Sequence, residues 1–195
     1  LNAHLKLHGE EGLILKRYDA YIGVLIDDLV TKGATEPYRM LTSSAEHRLV
    51  LRMDNANLRL RPFAIKYNTI SKEEKNSFIN YQKNLSELIN YFNNTTLRPS
   101  EFNPKLDEIN LVHINNTISI AEFIRRPEIN QEIVINLFNP QYDLAVINEA
   151  IIQIKYQGYI DKEYLLIDKI KALENIPLGV NFKYDLVKNL SLEAK

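Results

Sequence analysis

The chain has 195 residues, 24 basic against 25 acidic side chains, 45% hydrophobic and 25% charged composition, and no cysteine. Those fractions are those of an ordinary globular chain, one domain or two small ones, and they exclude wholesale disorder and a fibrous class. Zero cysteine excludes a disulfide scaffold, a thiolate metal site and a cysteine nucleophile. A formal charge of −1 argues against bulk polyanion binding but leaves a local basic patch open. No apolar run approaches the ~18–20 residues of a membrane span, and the residues from Leu1 onward show no signal-peptide pattern.

In chain order, Leu1 to Leu7 reads as a helix stopped near Gly9, and Gly12 to Lys16 as a short strand. Tyr21, Ile22, Leu25, Ile26 and Leu29 form a helical apolar stripe with Lys32-Gly33 as its stop. Ser43-x-x-Glu46 has the form of a capping box ahead of Leu49 to Leu51, and a second helix from Asp54 to about Tyr67 is kinked at Pro62. Ser71-x-x-Glu74 opens the clearest helix, with Phe78, Tyr81, Leu85, Leu88, Ile89 and Phe92 on one face. Residues 93–104, rich in Asn, Thr and Pro, read as a loop and a domain boundary. Ser119-x-x-Glu122 caps a short helix that Arg125-Arg126-Pro127 ends, because Pro disfavours helical geometry in the residue before it. A short helix over 130–137 follows. A long one from about Gln141 to Glu174 has Leu144, Ile147, Ile151, Ile154, Tyr159, Leu166, Ile170 and Leu173 as core positions. Gly158 inside it predicts a close contact. The fold class is therefore mainly α, with a small mixed N-terminal part.

Few constellations carry chemistry. Asp27 and Asp28 point about 100° apart on a helix, so they do not flank one substrate atom; a solvated pair is the plainer reading, with Asp28 facing a cleft as the alternative. His4 and His8 have metal half-site spacing but no third ligand, and no metal is expected. No GxSxG, P-loop or GxGxxG is present. The anomaly is arginine: Arg39, Arg48, Arg52, Arg59 and Arg61 are five of nine in the chain, and 39–66 carries a local charge of +4. Arginine grips phosphate or carboxylate in bidentate fashion, and Arg48 and Arg52 would share a face on a helix. The competing reading is a solvated, salt-bridged face. Arg125-Arg126, and Lys155 beside Tyr156, Gly158 and Tyr159, are further basic features. For the tyrosines, packing at a helix crossing is preferred over base stacking.

Several longer stretches resemble the MnmG (GidA) family of FAD-dependent tRNA uridine 5-carboxymethylaminomethyl modification enzymes. They are Ala20 to Gly33 (AYIGVLIDDLVTKG), Glu36 to Arg52 (EPYRMLTSSAEHRLVLR), Asp54 to Leu60, Arg125 to Glu128, and Gln153 to Ile160 (QIKYQGYI), with Ile176-Pro177 and Leu190-Ser191 in order behind them. The similarity is weakest over 72–118. Ser44 stands where the family usually has Arg, His47 where it has Tyr, Asn57 where it has Asp, and Arg61 where it has Thr. The resemblance implies a helical C-terminal region preceded by a small α/β remnant of a Rossmann-type FAD-binding domain. It divides the chain into 1–35 (that remnant), 36–100 (arginine-rich segment and long helix) and 101–195 (C-terminal helical subdomain), with both ends looking cut.

It further implies a cytoplasmic protein that contributes tRNA and partner-GTPase (MnmE) contacts to a wobble-uridine modification enzyme, homodimeric when intact. FAD would be the cofactor, Asn2 and Ala3 being the tail of its last contact motif, with the catalytic centre itself elsewhere. The tRNA-facing residues would be Arg39, Arg48, Arg52 and Arg59, with Arg125, Arg126 and Lys155 at tRNA or the partner. The alternatives are a protein-interaction module and a non-functional fragment of a split or decayed gene.

Overall fold

The structure, a computed structural model, describes residues 1–33, 36–174, 176, 177 and 187. Gly179 and Leu190-Ser191 lie outside the described residues. Helix α1 spans Asn2–Leu7, α2 Tyr21–Thr31, α3 Ala56–Lys66, α4 Lys72–Asn94, α5 Pro99–Glu108, α6 Ile120–Ile124, α7 Gln131–Phe138 and α8 Leu144–Glu174. Two short strands, β1 (Thr96–Leu97) and β2 (Ile118–Ser119), pair antiparallel with Thr96 opposite Ser119. The molecule is mainly α.

Two capping boxes set the frame. Ser71 accepts from the Glu74 amide at 3.1 Å while Glu74 accepts from the Ser71 amide at 2.9 Å, and Ser119 and Glu122 repeat the arrangement at the start of α6. Each box satisfies two helix-end donors that would otherwise be unpaired. From α4, Phe78, Leu85, Leu88 and Phe92 are buried, and the last three join α5, α6, α7 and α8 in one core. Phe92, Phe102, Phe123 and Phe138 pack together, Phe102 stacked on Phe138 at 5.8 Å and edge-on to Phe123 at 5.1 Å. Offset and edge-to-face pairs of this kind add to area burial.

Several expectations are corrected by this packing. Residues 93–104 are not a boundary loop: β1 and most of α5 lie there, and Leu97 and Phe102 belong to the same core as Leu88 and Ile147. Pro99 sits in the first turn of α5, where the missing N–H costs nothing. In α8 the predicted positions Ile147, Ile151 and Ile154 are buried, but Leu144, Tyr159, Leu166 and Leu173 are exposed, and Ile160 and Ile167 are buried instead. Gly158 has no atom within 4 Å of where a Cβ would stand, so it marks no close contact. That contact falls at Gly23, where a Cβ would lie 2.1 Å from the Lys16 carbonyl oxygen.

The N-terminal third differs more. Residues 12–16 carry no regular secondary structure and form no strand among the described residues. The Asn2 side chain takes the place of a ladder partner, accepting from the Leu13 amide at 2.8 Å and donating to its carbonyl at 2.9 Å. On α2 the buried positions are Gly23, Val24 and Asp28, while Ile22, Ile26 and Leu29 of the predicted stripe are exposed. The far end of α8 reaches this region, with Glu174 paired to Lys16 at 3.2 Å and Lys171 over the Tyr18 ring.

Candidate nucleic-acid interface

The arginine-rich segment is not a helix at its start. Residues 36–55 form a ribbon of turns, with one 3₁₀ turn at Thr42–Ser44, and join α3 only at Ala56. Ser43 and Glu46 form no capping box, because Glu46 is drawn to Arg17 instead: Arg17 Nη2 donates to Glu46 at 2.6 Å and Nε at 3.3 Å. Arg48 and Arg52 therefore share no helix face, and the four-residue spacing argument fails with the helix it assumed.

The ribbon is fastened to α2 by charge. Arg17 Nη1 donates to Asp27 at 2.9 Å and to Asp28 at 2.7 Å, and Nη2 also donates to the Ser44 carbonyl at 2.9 Å. Asp28, with a side chain 4% exposed, additionally accepts from Lys32 at 2.8 Å and from the Tyr38 hydroxyl at 2.6 Å. The Lys32, Tyr38 and Arg17 donors hold the Asp28 carboxyl far below the usual carboxylate range. The solvated-pair reading fails for Asp28, which is buried, while Asp27 keeps a solvent-exposed carboxylate paired with Arg17. Apolar contact adds a small cluster of Val24, Ala45 and Leu51, with Tyr21 and Met40 packed against it.

The predicted arginines divide into two kinds. Arg39 and Arg48 are exposed and make no ion pair or hydrogen bond among the described residues. Arg52 and Arg59 face inward. Arg52 bonds Asp54 at 3.0 Å, the Leu49 carbonyl at 2.9 Å and Glu149 of α8 at 3.0 Å. Arg59 donates to the Asn55 side chain and to the carbonyls of Asp19 and Arg52. Burial pulls its guanidinium below the usual arginine value, which leaves it a cation at neutral pH. These two line a cavity of about 240 Å³ together with Glu149, Gln153, Gln157 and Tyr164. Burial outweighs the Gln153 and Arg52 contacts on Glu149, so its carboxyl sits above the ordinary value, and its Oε2 has no hydrogen-bond partner among the described residues.

Arg125, Arg126 and Lys155 come together where the end of α6 meets α8. Arg125 Nε donates to the Ile154 carbonyl at 3.4 Å and Lys155 Nζ to the Arg126 carbonyl at 3.0 Å. Arg126 is committed to the Val112 and His113 carbonyls and stacks over Phe123 at 5.4 Å. Burial lowers the Lys155 pKa. Arg125 alone of the three is exposed. Tyr156 and Tyr159 are also exposed, at 44% and 62%, which reverses the expectation that they pack at a helix crossing. No cluster of three or more His, Cys, Asp or Glu that could hold a metal ion exists among the described residues, and no helix there is long and apolar enough to cross a membrane.

Residues 72–164 match the family described as tRNA modifying enzyme MnmG/GidA C-terminal helical domain. Over its whole length the chain is 41% identical to the tRNA uridine 5-carboxymethylaminomethyl modification enzyme MnmG of Lacticaseibacillus paracasei and 43% identical to that of Clostridium novyi, covering 31% of each. The structure superposes on Aquifex aeolicus GidA with a TM-score of 0.74 at 32% identity, over 98% of this chain and 30% of that one. By sequence and fold the chain matches the C-terminal portion of MnmG/GidA proteins. It spans about a third of the length of the curated relatives it matches. Within this MnmG/GidA portion, sequence reasoning missed Arg17, Tyr38 and Glu149. Arg17 lies outside the arginine-dense window and meets Glu46 across 29 positions; the usable signal was a buried-side Asp28 four residues from Lys32.

Proposed function

We propose that this chain supplies RNA contacts to a FAD-dependent enzyme that adds a carboxymethylaminomethyl group at C5 of the tRNA wobble uridine. The observation that carries this reading is the pair of exposed guanidiniums, Arg39 and Arg48, that no carboxylate among the described residues neutralises. An unpaired exposed arginine is free to release counterions from a phosphate backbone and to grip it bidentately. Arg125 adds a third exposed cation, with Lys155 and Arg126 beside it. Arg52 and Arg59 act behind this face by tying the ribbon to α3 and α8.

Any flavin contact by Asn2 would share a side-chain amide that already accepts from the Leu13 amide and donates to its carbonyl, and Ala3 offers no polar side chain. A second reading, docking of the partner GTPase (MnmE) or of a second copy in a homodimer, is favoured by the exposed Tyr159, Leu165 and Leu166 on α8.

The test is tRNA binding against salt. Each lost phosphate contact lowers the slope of log K against log salt by about 0.7–0.9, so the Arg39→Ala/Arg48→Ala double variant should lose nearly twice that. Parental slope and affinity in the double variant would overturn the reading.

A further inference from the structure

The five N–H donors of Arg17 are all committed: one at Nε to Glu46, two at Nη1 to Asp27 and Asp28, two at Nη2 to Glu46 and the Ser44 carbonyl. Nothing is left on it for a phosphate. Asp28 in turn accepts from Arg17, Lys32 and Tyr38. The pins lie beside the two free arginines. Tyr38, which reaches Asp28, immediately precedes Arg39, and Glu46, which reaches Arg17, stands two residues before Arg48. Between the pins the ribbon has only a 3₁₀ turn and one buried apolar side chain, Ala45.

We propose that the Arg17–Asp28 pair is a positioning device that touches no RNA itself and fixes both ends of the 38–46 ribbon, so that Arg39 and Arg48 are presented in one preset arrangement. This rests on the RNA-contact reading of those two arginines. Ordering a loosened, rotamer-rich segment at the moment of binding costs affinity, and the pair removes that cost beforehand.

Charge and positioning predict opposite signs for Asp28→Asn. It removes a negative charge beside the face, so electrostatics alone would tighten tRNA binding. The positioning account predicts binding weaker by about three- to tenfold, with the salt slope retained because the contacting arginines remain. Tyr38→Phe changes no charge and should weaken binding in the same direction, by less. In both variants amide exchange at Ser44 and Ala45 should accelerate while α4 keeps its protection. Tighter binding by Asp28→Asn, or parental affinity and parental exchange in Tyr38→Phe, would overturn the proposal; the second variant decides if the first does not fold. Should the Arg39→Ala/Arg48→Ala variant bind tRNA like the parent, the RNA reading fails on its own, and the exchange measurement still shows whether the pair fixes the ribbon.

Discussion

The region from Leu85 to Ile154 and the region from Arg17 to Arg52 are held by different physics. The first buries a continuous set of Leu, Ile and Phe around Phe123, with capping boxes closing its helix ends. The second buries a handful of apolar side chains, of which Val24, Ala45 and Leu51 cluster, and relies on a guanidinium that meets three carboxylates. Apolar burial is non-directional and tolerant of salt, whereas a charge network is directional and depends on every member being present. The difference teaches why the exposed cations sit where they do. A segment without its own core is free to carry unpaired arginines at its surface.

The comparison can be broken most severely in the helical unit. Phe123→Ala should remove about 3–5 kcal/mol, read by urea unfolding, since Phe123 is fully buried among Phe102 and Phe138. In the N-terminal region, Gly23→Ala should cost about 2–3 kcal/mol in thermal unfolding, because its Cβ would enter the Lys16 carbonyl, a backbone atom that cannot swing aside.

Acid separates the regions further. Asp28 has its pKa lowered by folding, so its stabilisation is fully present above the ordinary aspartate value of about 3.9 and is lost as pH falls through the lowered one. Amide exchange corrected for intrinsic rates should show residues 38–46 opening progressively below that point while α4 holds. The smallest effect runs the other way. Glu149 has its pKa raised by burial, so its ionisation costs stability as pH rises past the ordinary glutamate range. Glu149→Gln, which keeps a side-chain oxygen to accept from Arg52, should therefore be slightly more stable than the parent at neutral pH by urea unfolding, and the gain should vanish in acid, where the parent carboxyl is protonated.

Where structure follows from local chemistry, the sequence was readable. The Ser71 and Ser119 boxes and the α4 face depend on residues three or four apart, the stop at Pro127 on its immediate neighbours, and all of them stand in the structure. The 12–16 strand and the 43–51 helix failed because distant partners outbid the local pattern: Asn2 takes the Leu13 backbone across 11 positions and Arg17 takes Glu46 across 29. The α2 stripe was inverted for a related reason. Apolar periodicity marks the side that can be buried, but Asp28 and Gly23 are the residues with partners waiting. In the candidate site, composition located the arginine segment. It could not separate Arg39 and Arg48, which are free, from Arg52 and Arg59, which are committed, because that division is made by α8 and Asp19 from elsewhere in the chain.

The most direct measurement of this two-region account is amide exchange followed residue by residue at low and at molar salt. Salt screens the exposed Glu46 and Asp27 arms of the Arg17 network and leaves apolar burial intact. The account predicts that amides in 38–46 are the less protected and exchange about three- to tenfold faster in molar salt, while those of Leu85 to Phe92 stay slow at both. Protection over 38–46 equal to that of α4 and indifferent to salt would contradict it.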